Sequence, residues 1–306
     1  MWAIYHQVFA KENLGTLWNV FAARLSLSNT IYLWIAIALV PVNWLLETLK
    51  WRQLLRHFSD MSFWQCYRAV LAGVTVAMLT PNRMGEYIGR ILFAEPKNSW
   101  RAVIVAILGG FAQLFILFLC GMIGLCHLAY NYLHFEAYLI WSANAIGGIG
   151  LILSAVFFFR SDLVFFLIQK IPTTRWRWRV SRQFVVLRRC SKKDLTKVLE
   201  LAALRYGTYS LQYWLMLLFV GIELPFDAAL AGIAAIFLIQ TCLPLPVLAS
   251  LMVRGELALL VWGHFSQNHI GILAAAFGLF IINIVLPALL GAMFIVKSKS
   301  FKIIRL

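Results

Sequence analysis

The chain has 306 residues, of which 62% are hydrophobic and 13% charged, with a formal net charge of +15 and a mean hydropathy of +0.82. A soluble domain of this length cannot hide so much apolar surface, so the composition excludes one and points to a polytopic α-helical membrane protein. It also excludes a soluble catalytic domain, which would need a long hydrophilic block, and a nucleic-acid surface, because the basic residues fall mainly between apolar runs, as in cytoplasmic loops facing anionic lipid.

In chain order, residues 1–10 are apolar but too few to span a bilayer. They read as the tail of a transmembrane helix or a short interfacial anchor, with no cleavable signal evident. Residues 15–27 mix Leu17, Trp18, Phe21 and Leu25 with Asn19, Arg24 and Ser26, which predicts an amphipathic interfacial helix. The first full span, 30–49, ends in Lys50, Trp51 and Arg52, read as an interface anchor; with Arg56 these place that end in the cytoplasm. A second apolar run, 62–79, leads into Thr80-Pro81-Asn82-Arg83-Met84-Gly85-Glu86-Tyr87-Ile88-Gly89-Arg90. A third, 102–126, is followed by a stretch to Glu136 without Lys or Arg, expected outside, and then by a span at 137–159.

From Arg160 to Arg205 basic residues far outnumber Asp162, Asp194 and Glu200, so this block is expected in the cytoplasm. Within it, Arg175-Trp176-Arg177-Trp178-Arg179 alternates cations with interfacial aromatics, which suits an anionic lipid surface or, alternatively, a membrane-enzyme partner. A span at 199–220 returns outward. Two apolar runs, 228–243 and 247–262, are separated by Pro244-Leu245-Pro246, and the last span, 270–296, ends in a basic cytoplasmic tail.

The charges constrain the topology. If 62–79 crossed fully, Arg83, Arg90, Lys97 and Arg101 would lie outside, whereas a turn at Thr80-Pro81 returns them to the cytoplasmic side. The runs around Pro244 and Pro246 both begin and end beside loops without Lys or Arg, which predicts a second hairpin, entered from outside; two full crossings are the alternative. The expected fold is therefore an all-α polytopic membrane protein with two inverted-topology repeats, each containing a Pro-broken, re-entrant-like helical hairpin. It forms a single integral membrane domain over 1–306: repeat one at about 30–126, a linking span at 137–159, a cytoplasmic basic segment at 160–198 and repeat two at about 199–296.

Thr80-Pro81 reads as an N-cap followed by Pro at the first helical position, ahead of Asn82 at the hairpin tip. A helix starting there holds Arg83, Glu86 and Arg90 on one face. Glu86 and Arg90 can pair at i,i+4, leaving Arg83 and the free N–H groups for an anion such as a lipid phosphate. Gly85 and Gly89, four residues apart, permit close approach of another helix or an acyl chain. In the second hairpin Arg254 and Glu256 lie within an apolar run, with Glu86–Arg254 or Arg83–Glu256 as cross-hairpin pairs. Gln113, Gln212, Gln240 and Asn283 are polar residues inside spans, suited to interhelical hydrogen bonds or to lining a polar cavity. The five cysteines form no C-x-x-C pair and the histidines of the outer loops match no ligand spacing, so neither metal nor cofactor is expected. No nucleophile–base arrangement or phosphate-cradling glycine loop is present, and no enzymatic activity is expected.

Asn43-Trp44-Leu45-Leu46-Glu47-Thr48-Leu49-Lys50-Trp51-Arg52, Leu71-Ala72-Gly73, the segment from Thr80 to Arg90, and Asn283 to Pro287 resemble the flippase-like family named after the transmembrane region of lysylphosphatidylglycerol synthase. The resemblance covers nearly the whole chain, and Thr-Pro-x-x-x-Gly-Glu-x-x-x-Arg is its most specific part. It implies a bacterial inner-membrane protein that handles or flips lipids, without the synthase's lysyl-transferring cytosolic domain. The family's Pro-Gly-Gly-x-Gly-x-x-Glu pattern is replaced here by the stretch from Pro244 to Glu256, which lacks the early glycines, and the family's usual first helix is expected to be shortened at Met1. The expected function is translocation or binding of an anionic phospholipid or polyprenyl-phosphate-linked lipid, with Arg83, Glu86 and Arg90 engaging the headgroup and Arg254 and Glu256 completing the site; the alternative is an accessory protein scaffolding a lipid-modifying enzyme or a glycosyltransferase.

Overall fold

The computed structural model describes residues 29–80, 84–94, 98–132, 136–160, 183–243 and 247–297, and among these every regular element is helical. Helix α1 (Thr30–Leu55) is followed by α2 (Phe63–Leu79), α3 (Gly85–Ile91), α4 (Ser99–Asn131) and α5 (Ala137–Phe159). After a short helical stretch over 183–189 come α6 (Lys192–Phe219), α7 (Phe226–Cys242), α8 (Val247–Trp262) and α9 (His269–Phe280). A π-helical turn, Ile281–Val285, then joins α9 to α10 (Leu286–Lys297).

Hydropathy locates the apolar centre of each helix, and local hydrogen bonds set its ends. Ser62 opens α2 with a capping box: its hydroxyl accepts from the Gln65 N–H (3.3 Å) while the Gln65 side chain accepts from the Ser62 N–H (2.9 Å). Ser191 and Asp194 open α6 reciprocally, at 3.0 and 3.2 Å. This capping starts α6 inside the basic segment, ahead of the expected 199. Likewise α4 runs on to Asn131 through residues expected to form a loop, and α1 runs on to Leu55.

Thr30–Leu55, Ser99–Asn131 and His269–Lys297 are long and apolar enough to cross a membrane, by length and composition among the described residues. Helices α2 and α7 have 17 residues each and α8 has 16. At about 1.5 Å per residue they fall short of a hydrocarbon core of about 30 Å.

The chain divides into two compact units. The first comprises Met1–Asn43, Leu119–Asn144 and Gly207–Leu286, and the second Trp44–Phe118, Ala145–Tyr206 and Pro287–Leu306. In the first, small residues bring the end of α4 onto α7: a Cβ added at Gly121 would sit 2.6 Å from the Leu238 Cβ, and one at Gly124 2.6 Å from the Ala234 Cβ. Ile233, Ile236, Trp262 and Ile272 of the same unit are fully buried. Beside it, His127 Nε2 lies 3.1 Å from Asp227 Oδ2, to which the Tyr132 hydroxyl also donates (3.0 Å). These bonds hold the exposed Asp227 carboxyl below its usual range.

In the second unit the Trp51 indole N–H donates to the Ala102 carbonyl (3.2 Å), tying α1 to α4. The Thr75 hydroxyl donates to the Ala288 carbonyl (2.6 Å), tying α2 to α10. The buried Asp194 carboxylate gathers the end of α1 onto the start of α6 through Arg56, Gln53 (3.0 Å) and His57 (3.0 Å). Burial alone would push its carboxyl up; the Ser191 hydroxyl and N–H, then Arg56 and His57, outweigh that and bring it down to about 2.

One expectation is corrected here. Lys50 and Trp51, read as an interface anchor, are only 2% and 1% exposed. Glu47 on the same helix, 2.6 Å away, draws Lys50 inward, and the Ala102 carbonyl does so for Trp51.

Candidate functional site

Helices α2 and α3 pack antiparallel in the second unit, at backbone distance. A Cβ at Gly89 would lie 2.5 Å from the Ala72 carbonyl and from the Gly73 Cα, and one at Gly85 would strike the Val76 carbonyl. The Gly85–Gly89 spacing thus faces α2, as the small-residue reading requires. Thr80 differs from its expected role. It closes α2 in an extended conformation (φ −117°, ψ 143°), and α3 begins later, at Gly85, with Met84 flanking it. The Thr80 hydroxyl donates to the Val76 carbonyl (3.2 Å) and accepts from the Gly85 N–H (2.8 Å). It therefore satisfies a donor at the start of α3 from the end of α2 rather than from the position next to α3. Pro81, Asn82 and Arg83 lie outside the described residues.

Arg90 is buried, and its guanidinium is held by two carboxylates: Glu86, one turn earlier on α3, and Glu47 on α1, at 2.7 Å. The ring of Trp51 lies beneath it, 5.3 Å from the guanidinium carbon. Glu47 is the centre of a larger network. Its Oε2 is 2.6 Å from Lys50 Nζ and 3.3 Å from Arg205 Nη1, while its own side chain is 6% exposed. Arg205 lies over Trp44 at 5.3 Å. Lys50 Nζ and Arg205 Nη1 both also reach Gln113 Oε1, at 3.5 and 3.4 Å, and the Gln113 amide donates to the Ala202 carbonyl (3.4 Å).

Among the described residues, three helices thus contribute three cations and two carboxylates to one ionic cluster, and α4 adds the neutral Gln113. Desolvating such groups is costly, and only mutual pairing makes the arrangement stable. Of the expected residues, Glu86, Arg90 and Gln113 meet here. Glu47 and Arg205 were not read as site residues, and Lys50 was read as an interface anchor. Their signal was the Glu47-x-x-Lys50 spacing at the end of an apolar span, and Arg205 at the far end of the basic block.

The expected residues of the second half, Gln212, Gln240, Arg254, Glu256 and Asn283, belong to the first unit. Arg254, on α8, donates to the Tyr209 hydroxyl (3.4 Å) and lies over Phe280 at 5.7 Å; its Nε is buried without a hydrogen-bond partner. Glu256 is partly buried on the same helix. Gln212 donates to the Ala36 carbonyl (2.8 Å) and Asn43 to Asn283 Oδ1 (3.0 Å), both fully enclosed. Asn283 sits in the π-helical turn. Gln240 is partly buried near the end of α7, where its carbonyl accepts the Leu243 N–H (3.3 Å). Pro244, Pro246 and the segment from Arg175 to Arg179 lie outside the described residues.

Residues 5–295 match a family model described as the lysylphosphatidylglycerol synthase TM region. No match was found to a curated protein or to a solved structure.

Proposed function

The chain belongs to the family of the lysylphosphatidylglycerol synthase transmembrane region, and from that premise we propose that this membrane protein binds an anionic phospholipid or polyprenyl-phosphate-linked lipid and moves its headgroup across the bilayer without chemical conversion. The observation that carries the proposal is the largely buried ionic cluster of Glu47, Lys50, Glu86, Arg90 and Arg205. Charge inside a membrane protein is expensive enough to mark a pathway for polar groups. The most specific motif of the family resemblance supplies two members of that cluster.

The helix lengths support a matching architecture. With α2, α7 and α8 shorter than a bilayer crossing, α2–α3 and α7–α8 become two Pro-broken hairpins of opposite entry. With α5 as the linking span, they form inverted repeats that give a polar site access from both faces. The basic connections then face the cytoplasm of a bacterial inner membrane.

The test is headgroup movement of a fluorescent anionic phospholipid in vesicles containing only the purified protein. The wild-type chain is expected to accelerate it, and Arg83→Ala and Arg90→Ala each to abolish the acceleration. Wild-type rates in both variants would reject the assignment. No movement at all, with an enzyme co-purifying in equal amount, would favour the scaffolding alternative.

A further inference from the structure

The excess positive charge of the cluster has a definite location. Glu86 and Glu47 both serve Arg90, so Lys50 and Arg205 share what remains of Glu47 and otherwise converge on Gln113 Oε1, a neutral amide oxygen, at 3.5 and 3.4 Å. Hydrogen bonds from charged nitrogen to a charged oxygen run at roughly 2.7–2.9 Å, so both donors are under-served at that point. The Nε of Arg205 is also buried without a hydrogen-bond partner. The guanidinium therefore has an unused donor edge while its face lies over Trp44.

Exposure falls in the same direction. The Lys50, Arg90 and Glu47 side chains are 2%, 3% and 6% exposed, whereas that of Arg205 is 19%, and Gln113 is likewise only partly buried. On α4, Gly109 and Gly110 place no side chain on the wall one turn from Gln113. A Cβ at either would come to 3.6 Å from Lys50 Cε or 3.7 Å from the Tyr87 hydroxyl.

We propose that Lys50, Arg205 and Gln113 form a phosphate-binding subsite, with Glu47 as the resident counter-ion that holds the two cations in place while the subsite is empty. A phosphate oxygen replaces the Gln113 oxygen as their acceptor, and the planar guanidinium can take a second oxygen through its free edge. The phosphate is either that of a lipid headgroup, which rests on the lipid-moving function proposed above, or a free phosphate ion.

The experiment uses the full-length protein in phosphatidylcholine nanodiscs, titrated with dioleoylphosphatidylglycerol in one arm and with inorganic phosphate in the other, and read by native mass spectrometry and thermal shift. Arg205→Gln and Gln113→Glu are each expected to weaken binding by about tenfold or more. Gln113→Glu should melt at or above the wild-type temperature, because its carboxylate now answers both cations. That separates loss of a ligand from loss of the fold, and Arg205→Gln, at the more exposed position, serves if Gln113→Glu does not fold. Binding of the lipid alone assigns the headgroup as the source, and binding of inorganic phosphate alone assigns the free ion. Wild-type affinity in both variants, or no binding in either arm, overturns the subsite. If the wild-type protein moves lipid and the variants bind normally, only the subsite fails; if it binds through these residues and moves none, only the transport function fails.

Discussion

Glu47 accepts three cations from within the protein interior, and among the described residues only Arg90 is shown to share a second carboxylate, Glu86. Replacing Glu47 by Gln keeps its shape but leaves Lys50 and Arg205 uncompensated, and the expected loss of stability is about 3–5 kcal/mol. Thermal unfolding in a fixed detergent measures it, and an unchanged midpoint would mean that the cluster is not closed in solution. At this scale the sequence was legible only locally. Glu86 and Arg90 were readable as a pair because one helical turn separates them. Glu47 stands 43 positions from Arg90 and Asn43 stands 240 from Asn283. Contacts over such distances depend on which helices pack together, and no local pattern encodes that. The burial of Lys50 was misread for the same reason, since a Lys next to Trp at the end of an apolar run looks alike whether it meets headgroups or a carboxylate.

The α2–α3 pair depends on glycine at one close approach. Gly89→Ala would bring a Cβ to 2.5 Å from the Ala72 carbonyl and the Gly73 Cα, and backbone cannot yield as a side chain can. The expected cost is about 1–3 kcal/mol. Gly207→Ala, in the middle of α6, meets nothing within 4 Å and should gain up to about 1 kcal/mol from helix propensity alone. Melting temperatures that move in opposite directions are the expected result; equal shifts would place α3 away from α2. Helix centres were visible as apolar runs, and α5 and α8 begin and end where hydropathy puts them. Other ends depend on hydrogen bonds that hydropathy does not register. The Ser191–Asp194 capping extends α6 backward, and Thr80 accepts the Gly85 N–H from the end of α2 while α3 begins only at Gly85.

For the molecule as a whole, composition pointed to a helical membrane chain, because a backbone in lipid must satisfy its polar groups in helices or a closed barrel and the apolar runs here have the length of helical spans rather than of barrel strands. Pairing between distant segments came only with the structure, and Asp194 illustrates what it does. This carboxylate joins the end of α1 to the start of α6, and its folded-state value is depressed from 3.8 to about 2. A depressed acid stabilises the fold fully above its unfolded value, and that contribution fades as pH falls through the folded one. Wild-type stability should therefore decline between about pH 4 and pH 2, and Asp194→Asn should lack that part of the decline while being less stable at neutral pH; matching pH profiles would remove Asp194 from the linkage. The ionic cluster has a further consequence, for biogenesis. Glu47 and Lys50 pair at i,i+3 and Glu86 and Arg90 at i,i+4, so each segment can enter the translocon already neutralised by its own partner. Arg205 has no acidic residue three or four positions away on its own helix. Its carboxylate partner is Glu47 on α1, a segment synthesised earlier, so its neutralisation depends on a contact that only tertiary packing supplies.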